Sequence, residues 1–98
     1  MSFANSIPAV PTLLAEDERA KVTRWDFEPG ATTGFHEHSM DYAVVIMTDA
    51  TMAYEVDGVV TQMEVKAGQS YIRPSGVKHD VKNAGATHLT FIEVEIKR

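Results

Sequence analysis

Short runs of strand-forming residues, separated by turn residues, constrain the fold of this chain most strongly. The run 42–47 is apolar and too short for a typical helix. The segments 52–56 and 59–65 are joined by Asp57-Gly58, which favours a two-residue hairpin turn because both residue types accept positive φ. Such runs recur at spacings of about 8–12 residues. The pattern predicts about seven to nine strands, very little helix, and an all-β sandwich or small barrel.

The first 18 residues differ in residue pattern from the rest of the chain. Residues 1–18 contain Pro8 and Pro11 and read as an extended N-terminal arm. Within this arm, Thr12 is a workable N-cap, so one or two helical turns are expected through 13–16. A total length of 98 residues allows one domain, and we assign residues 19–98 to a single all-β domain, a sandwich or small barrel.

The last segment alternates between apolar and charged residues, with a period of two. Ile92, Val94 and Ile96 fall on one face of the predicted strand. Glu93 and its charged neighbours at 95 and 97 fall on the other face. The alternation predicts a strand that buries its apolar face and exposes its charged face to water.

Composition excludes several functions. The chain contains no cysteine, which excludes disulfide scaffolds, zinc fingers, iron–sulfur clusters and thiol nucleophiles and leaves nitrogen and oxygen ligands for any metal. A net charge of −5 argues against a nucleic-acid partner. No apolar stretch approaches the roughly 18 residues of a membrane span, and the first 14 residues lack a basic leader. We therefore expect a soluble cytoplasmic protein without a membrane partner.

Two of the four histidines, His36 and His38, are separated by one residue. On a strand, residues i and i+2 point to the same face and lie about 7 Å apart. Two imidazoles placed in this way can bind one metal ion, about 2.0–2.2 Å from each nitrogen. By itself the spacing is a weak signal, and a pair of surface histidines is the default alternative.

Glycines, a proline and histidines recur at fixed spacings in two groups. The first group is Gly30-x5-His36-x-His38, and the second is Gly68-x5-Pro74-x-Gly76-x2-His79-x3-Asn83. The two groups resemble the two motifs of the cupin superfamily. The second motif matches at every position, and the first matches at its opening glycine and both histidines. The matched region spans more than half of the chain.

The resemblance implies a double-stranded β-helix, or jelly-roll barrel, with a divalent metal ion bound by His36, His38 and His79. Fe(II) is favoured because three-histidine cupins are known among the dioxygenases, and Ni, Zn, Mn and Cu stay open. The glutamate of the first motif is missing, since Tyr42 and Ala43 occupy its position. A one-residue shift along a strand reverses the face, so the neighbouring Asp41 should point away from the histidines.

The resemblance also implies a metal-dependent enzyme, and most plausibly a dioxygenase that acts on a small anionic or chelating metabolite. The alternatives are a metal-dependent isomerase or lyase and a non-catalytic module that binds a small molecule or metal. Tyr42 is the candidate catalytic residue, as a proton donor to substrate or metal-bound water. A filler role in the barrel is the alternative for this side chain.

Three further expectations concern residues outside the motifs and the assembly. His88 is expected at the surface or supporting the site from a distance. Arg73 is expected either in an exterior salt bridge or, with less weight, at the barrel mouth binding a substrate carboxylate. Small cupins usually pair through their sheets, and pairing protects edge strands, so a homodimer is expected.

Overall fold

Strands alone form the regular structure of residues 7–97, which are the residues that the computed structural model describes. Within that range the strands are β1 (Ile7–Pro8), β2 (Val10–Glu16), β3 (Ala20–Phe27), β4 (Ala31–Thr32), β5 (His36–Glu37), β6 (Asp41–Ile46), β7 (Ala50–Val56), β8 (Val59–Val65), β9 (Ser70–Arg73), β10 (Lys78–Asn83) and β11 (Leu89–Ile96). No described segment forms a helix that could cross a membrane. Residues 1–6 of the predicted arm and the terminal Arg98 lie outside the described range.

The strands form two sheets. One sheet has the order β1-β4-β10-β7-β8, with β5 also paired to β10, and the other has the order β2-β3-β11-β6-β9. Neighbours in the sheets are mostly distant in sequence, as in a Greek-key or jelly-roll connection. The all-β prediction is therefore confirmed.

The predicted hairpin is present, with β7 and β8 paired from Ala50↔Val65 to Val56↔Val59. At its tip Asp57 has φ 51° and Gly58 has φ 78°. Positive φ at both central residues is the requirement of the turn whose twist matches the flanking strands.

The expected helical turn in the arm is wrong. Strand β2 pairs with β3 in antiparallel register, from Val10↔Asp26 to Glu16↔Lys21, with an irregularity between Leu13 and Ala15. A lone helical turn fixes several backbone dihedrals for very few hydrogen bonds. The free edge of β3 offers this segment a full set of backbone partners, which favours the extended conformation.

The predicted orientation of the last strand is also wrong. Strand β11 lies in the middle of its sheet, between β3 and β6. Leu89 and Phe91 are buried in the core, and because side chains alternate, Glu93 points inward on the same face and is 8% exposed. The face that carries Val94 points outward and is only partly buried. Because Phe91 packs in the core, β11 buries the face that carries Glu93, whereas the charge pattern had predicted that this face is exposed.

The core fills the space between the two sheets. Phe27, Leu89, Ile46 and Met52 are among its fully buried side chains. Asn83 is buried beside them, and its Nδ2 donates to the Phe27 carbonyl at 3.0 Å and to the Thr87 carbonyl at 2.7 Å. Its Oδ1 accepts the Gly85 N–H at 3.1 Å. Asn83 therefore holds the β10–β11 turn.

Candidate metal centre

Backbone pairing between β5 and β10 brings the two sequence motifs together. His36 lies directly opposite His79 in antiparallel register. One residue beyond β5, the His38 N–H donates to the Val77 carbonyl at 2.9 Å, and the Gly76 N–H donates to the His38 carbonyl at 2.7 Å. The three predicted histidines are thus placed on one side of a short, hydrogen-bonded ladder.

A bend at residues 74–76 delivers His79 to this ladder. Gly76 has φ 94°, a left-handed conformation that glycine adopts without a steric cost. The Ser75 N–H donates to the Asp41 carboxylate oxygen Oδ1 at 2.9 Å. Asp41 therefore supports the bend and is not part of the histidine cluster, which agrees with the expectation from its one-residue offset.

The ring nitrogens of the three histidines converge. His38 Nε2 lies 3.0 Å from His36 Nε2 and 3.0 Å from His79 Nε2. An ion about 2.1 Å from each nitrogen would see neighbouring ligands at an angle of roughly 90°, whereas tetrahedral ligands would be about 3.4 Å apart. The two distances fit neighbouring ligands of a single ion, and these three residues could hold a metal ion.

The protonation of the rings also suits metal binding. His36 Nδ1 donates to the Gly34 carbonyl at 2.8 Å, which leaves the Nε2 lone pair facing its partners. Burial lowers the pKa of His38 and of His79 to about 4, and the charge of His36 adds to both shifts. Two of the three imidazoles are therefore neutral at pH 7, as metal ligands must be.

The fourth histidine, His88, lies elsewhere. Its ring is exposed, and its Nε2 is 3.1 Å from the Asp26 oxygen Oδ1. The structure therefore selects the same three histidines as the sequence motifs.

Tyr42 occupies the place where the motif leads one to expect a glutamate. Its ring stacks on the His38 imidazole, with 3.9 Å between the centroids and 23° between the planes. Burial raises the pKa of the Tyr42 phenol above its usual value, so the hydroxyl stays protonated at neutral pH. The stacking fixes the orientation of His38, and the predicted catalytic role of Tyr42 stays a prediction.

Glu93 is the residue that the sequence analysis missed. Its Oε2 lies 3.8 Å from His38 Nε2, which is longer than a hydrogen bond, so the carboxyl stands beside the histidines. Burial raises the pKa of Glu93 to about 7, and the charge of Glu95 adds to this shift. Its inward orientation could have been found from Phe91, two residues earlier on the same face.

His79 lines a cavity of about 240 Å³. Three tyrosines, two methionines and three valines form most of the wall, together with Arg73. Tyr42 is one of these tyrosines, and among the described residues no carboxylate lines the cavity. A small molecule in this cavity would therefore contact one member of the histidine cluster.

Two replacements of Tyr42 distinguish the contribution of its ring from that of its hydroxyl. Tyr42→Phe keeps the stacking on His38 and should change the affinity for Ni(II) less than about twofold. Tyr42→Leu removes the stacking and should weaken affinity about tenfold, because groups that orient a ligand typically contribute 10–100-fold. Competition titration with a chelator measures both values. Tyr54→Leu, on the same cavity wall, is the control, and tight binding by Tyr42→Leu would contradict the orienting role.

Replacement of Glu93 should change the pH dependence of stability in the metal-free protein. The pKa of Glu93 is about 7 in the folded state and near 4.5 in the unfolded state. The contribution of the neutral carboxyl to stability is therefore complete below pH 4.5, and it is lost as the pH rises through 7 because the buried group must then carry a charge. Glu93→Gln should therefore stabilise the fold by about 1–3 kcal/mol at pH 8 and by little at pH 5. Thermal unfolding in the presence of a chelator measures the difference.

The exposed Glu28 provides the matched control for this measurement. Glu28→Gln should shift the unfolding midpoint little at either pH. An equal gain from Glu93→Gln at pH 5 and pH 8 would contradict the raised pKa.

Comparison with known proteins agrees with this geometry. The cupin-domain family profile matches residues 23–95. The chain is 45% identical over 89 residues to the β-alanine degradation protein BauB of Pseudomonas aeruginosa, covering 91% of this chain and 94% of the relative.

Solved structures show the same fold. A cupin domain from Bordetella pertussis Tohama I superposes with a TM-score of 0.91 at 44% identity, covering 96% of this chain and 98% of that one. An RmlC-like cupin with a double-stranded β-helix fold from Methanocaldococcus jannaschii has a TM-score of 0.77 at 17% identity, over 96% of this chain and 84% of that one, and shows the fold alone. The family profile and the close relatives together place this chain in the cupin family.

Proposed function

We propose that this cupin is a metal-dependent enzyme, dioxygenase-like in its chemistry, that acts on a small anionic or chelating metabolite. The observation that carries the proposal is the convergence of three imidazoles beside a cavity of about 240 Å³. The three-histidine set contains no carboxylate, and Glu93 and Glu95 belong to a second group, with His38, that could hold a metal ion. Neutral ligands leave the charge of a divalent ion uncompensated, which favours an anionic oxygen ligand.

His36, His38 and His79 would hold the ion, and their imidazole donors suit Fe, Ni, Cu and Zn. Fe(II) is our preferred assignment, because the neutral three-histidine set resembles that of the cupin dioxygenases, and Mn(II) also stays open. A bound Fe(II) would supply Lewis acidity and one-electron chemistry with oxygen.

The chain itself contributes orientation and a proton. Tyr42 keeps its hydroxyl hydrogen because burial raises its pKa, so the phenol can donate to an oxyanion of the substrate. The apolar wall of the cavity limits the water around a bound ligand, which strengthens such hydrogen bonds. The curated relative is named for β-alanine degradation, and that name supports a small metabolite as the substrate.

A metal-dependent isomerase or lyase is the second candidate. The observation that favours it is the buried carboxyl of Glu93, 3.8 Å from His38 Nε2. Isomerases and lyases move protons at carbon, and a carboxyl group beside the ligand site is a common general base.

Metal analysis and oxygen uptake test the proposal together. Protein purified without an affinity tag or added metal should contain close to one equivalent of a redox-active metal per chain, and iron is the expected one. With small acids and β-diketones as substrates, that protein should consume oxygen. His38→Ala should lose both the metal and the activity, and His88→Ala should keep both.

Each other outcome points to a different function. Stoichiometric metal and ligand binding without oxygen consumption or turnover would indicate a binding module. Turnover without oxygen consumption would indicate the isomerase or lyase. Absence of metal from the wild-type protein, together with failure to bind added metal, would overturn the metal-dependent function altogether.

We also propose that the chain forms a homodimer through the outer face of the sheet that contains β11. An apolar row crosses this face from strand to strand, because the register aligns Ile72, Ala43, Val94, Val22 and Ala15. Ile72 at one end of the row is 69% exposed. A second copy that covers the row would remove this apolar surface from water.

A charge at the exposed end of the row should disrupt the dimer. In light scattering at micromolar concentration, the wild-type protein should have twice the 10.8 kDa chain mass, and Ile72→Glu should shift toward the monomer. Val59→Glu is the control, because Val59 is 65% exposed on the opposite sheet, and it should leave the mass unchanged. A monomeric wild-type protein would refute the assembly.

A further inference from the structure

Arg73 is the cationic side chain on the cavity wall. It lies on the inner face of β9, directly across from Tyr42 in the register of β6 and β9, and its side chain is exposed. The same cavity wall includes His79, so the guanidinium and the metal-binding histidines face one space. The remaining wall is tyrosine, methionine and valine, which leaves Arg73 as the charged recognition group of that wall.

The guanidinium of Arg73 has spare hydrogen-bond donors. Its Cζ lies 4.6 Å from the centroid of the Tyr71 ring, and its Nη1 donates to the Ile72 carbonyl at 3.1 Å. Within residues 7–97, Arg73 takes part in none of the ion pairs. An arginine carries five N–H donors in a planar fork, so most of them are available to a ligand.

The exterior salt bridge expected from the sequence is therefore not found among the described residues. A guanidinium that is oriented by an aromatic ring and takes part in none of these ion pairs matches a carboxylate in two-pronged geometry. The Tyr71 ring restrains the long side chain, which reduces the entropy that binding would cost.

The size of the cavity limits the ligand. A volume of about 240 Å³ lies just below the roughly 300–1,000 Å³ of most ligand pockets, which favours a small ligand. The wall between Arg73 and the histidines is largely apolar, which disfavours polyhydroxylated or multiply charged compounds.

We propose that Arg73 binds the carboxylate of the substrate, and that the substrate is a short acid whose other end carries the oxygen group directed to the metal. This inference rests on the proposed metal-dependent function and adds the second point of attachment. A ligand held at both ends has one orientation in the cavity, so Arg73 determines which atoms of the substrate lie near the metal and Tyr42.

The test uses two diketones that differ in a single carboxylate. Heptane-2,4-dione and 4,6-dioxoheptanoate carry the same β-diketone, and the second compound adds a terminal carboxylate. Each is titrated into the Co(II)-loaded protein, and binding is followed by the visible absorption of the metal. The wild-type protein should bind the acid at least about tenfold more tightly than the neutral diketone, because charge-assisted hydrogen bonds are strong ones.

Variants assign that preference to Arg73. Arg73→Gln should reduce the preference to about one without changing affinity for the neutral diketone, and Arg73→Lys should give an intermediate value. Arg24→Gln removes an arginine from the outer face of the same sheet, where it pairs with Asp26, and should keep the full preference. Equal binding of the two compounds by the wild-type protein, or an unchanged preference in Arg73→Gln, would overturn the proposal.

A second measurement does not depend on the metal. Butanoate should shift the Nε–Hε resonance of Arg73 in the wild-type protein, and the Arg24 resonance should not move. If neither the diketones nor butanoate bind, the carboxylate assignment is wrong. His38→Ala should lose the Co(II) absorption while butanoate still shifts Arg73, so failure of the metal site and failure of the carboxylate site give different results.

Discussion

The antiparallel pairing of β5 with β10 is the constraint on which the candidate site depends. It sets His36 opposite His79, although 42 residues lie between them in the chain. The two backbone bonds between His38 and residues 76–77 extend the same ladder. Because hydrogen-bonded strands lie about 4.8 Å apart, imidazoles on one face of this ladder can meet, and the ring nitrogens stand 3.0 Å apart.

The histidine cluster lies next to the apolar core, and the inner face of β11 contributes side chains to both. Along the inner face of β11 the side chains change from Leu89 and Phe91 to Glu93. The apolar end packs between the sheets, and the polar end faces the histidines. The same burial that stabilises the barrel removes water from His38 and His79 and lowers the pKa of each to about 4. The fold thus keeps two of the three histidines neutral chiefly through their burial.

The barrel also places Tyr42 and Arg73 side by side on adjacent strands. Tyr42 is buried and stacks on His38, whereas the Arg73 side chain is exposed. Tyr71 contacts Arg73, and the same cavity wall therefore carries an oriented cation at one position and the imidazole of His79 at another.

From the sequence alone, local turn chemistry predicted the strand-rich architecture and the Asp57-Gly58 hairpin, and the resemblance to the cupin motifs pointed to the three histidines. Prediction failed where the conformation of a segment depends on partners outside that segment. The arm became strand β2 because the edge of β3 offered backbone partners, and Glu93 turned inward because Phe91 was needed in the core. Whether Arg73 forms an exterior salt bridge likewise depended on which acidic side chains the fold places near it. Tertiary structure decided these points, since the face that a strand buries follows from packing across the barrel and not from its own alternation.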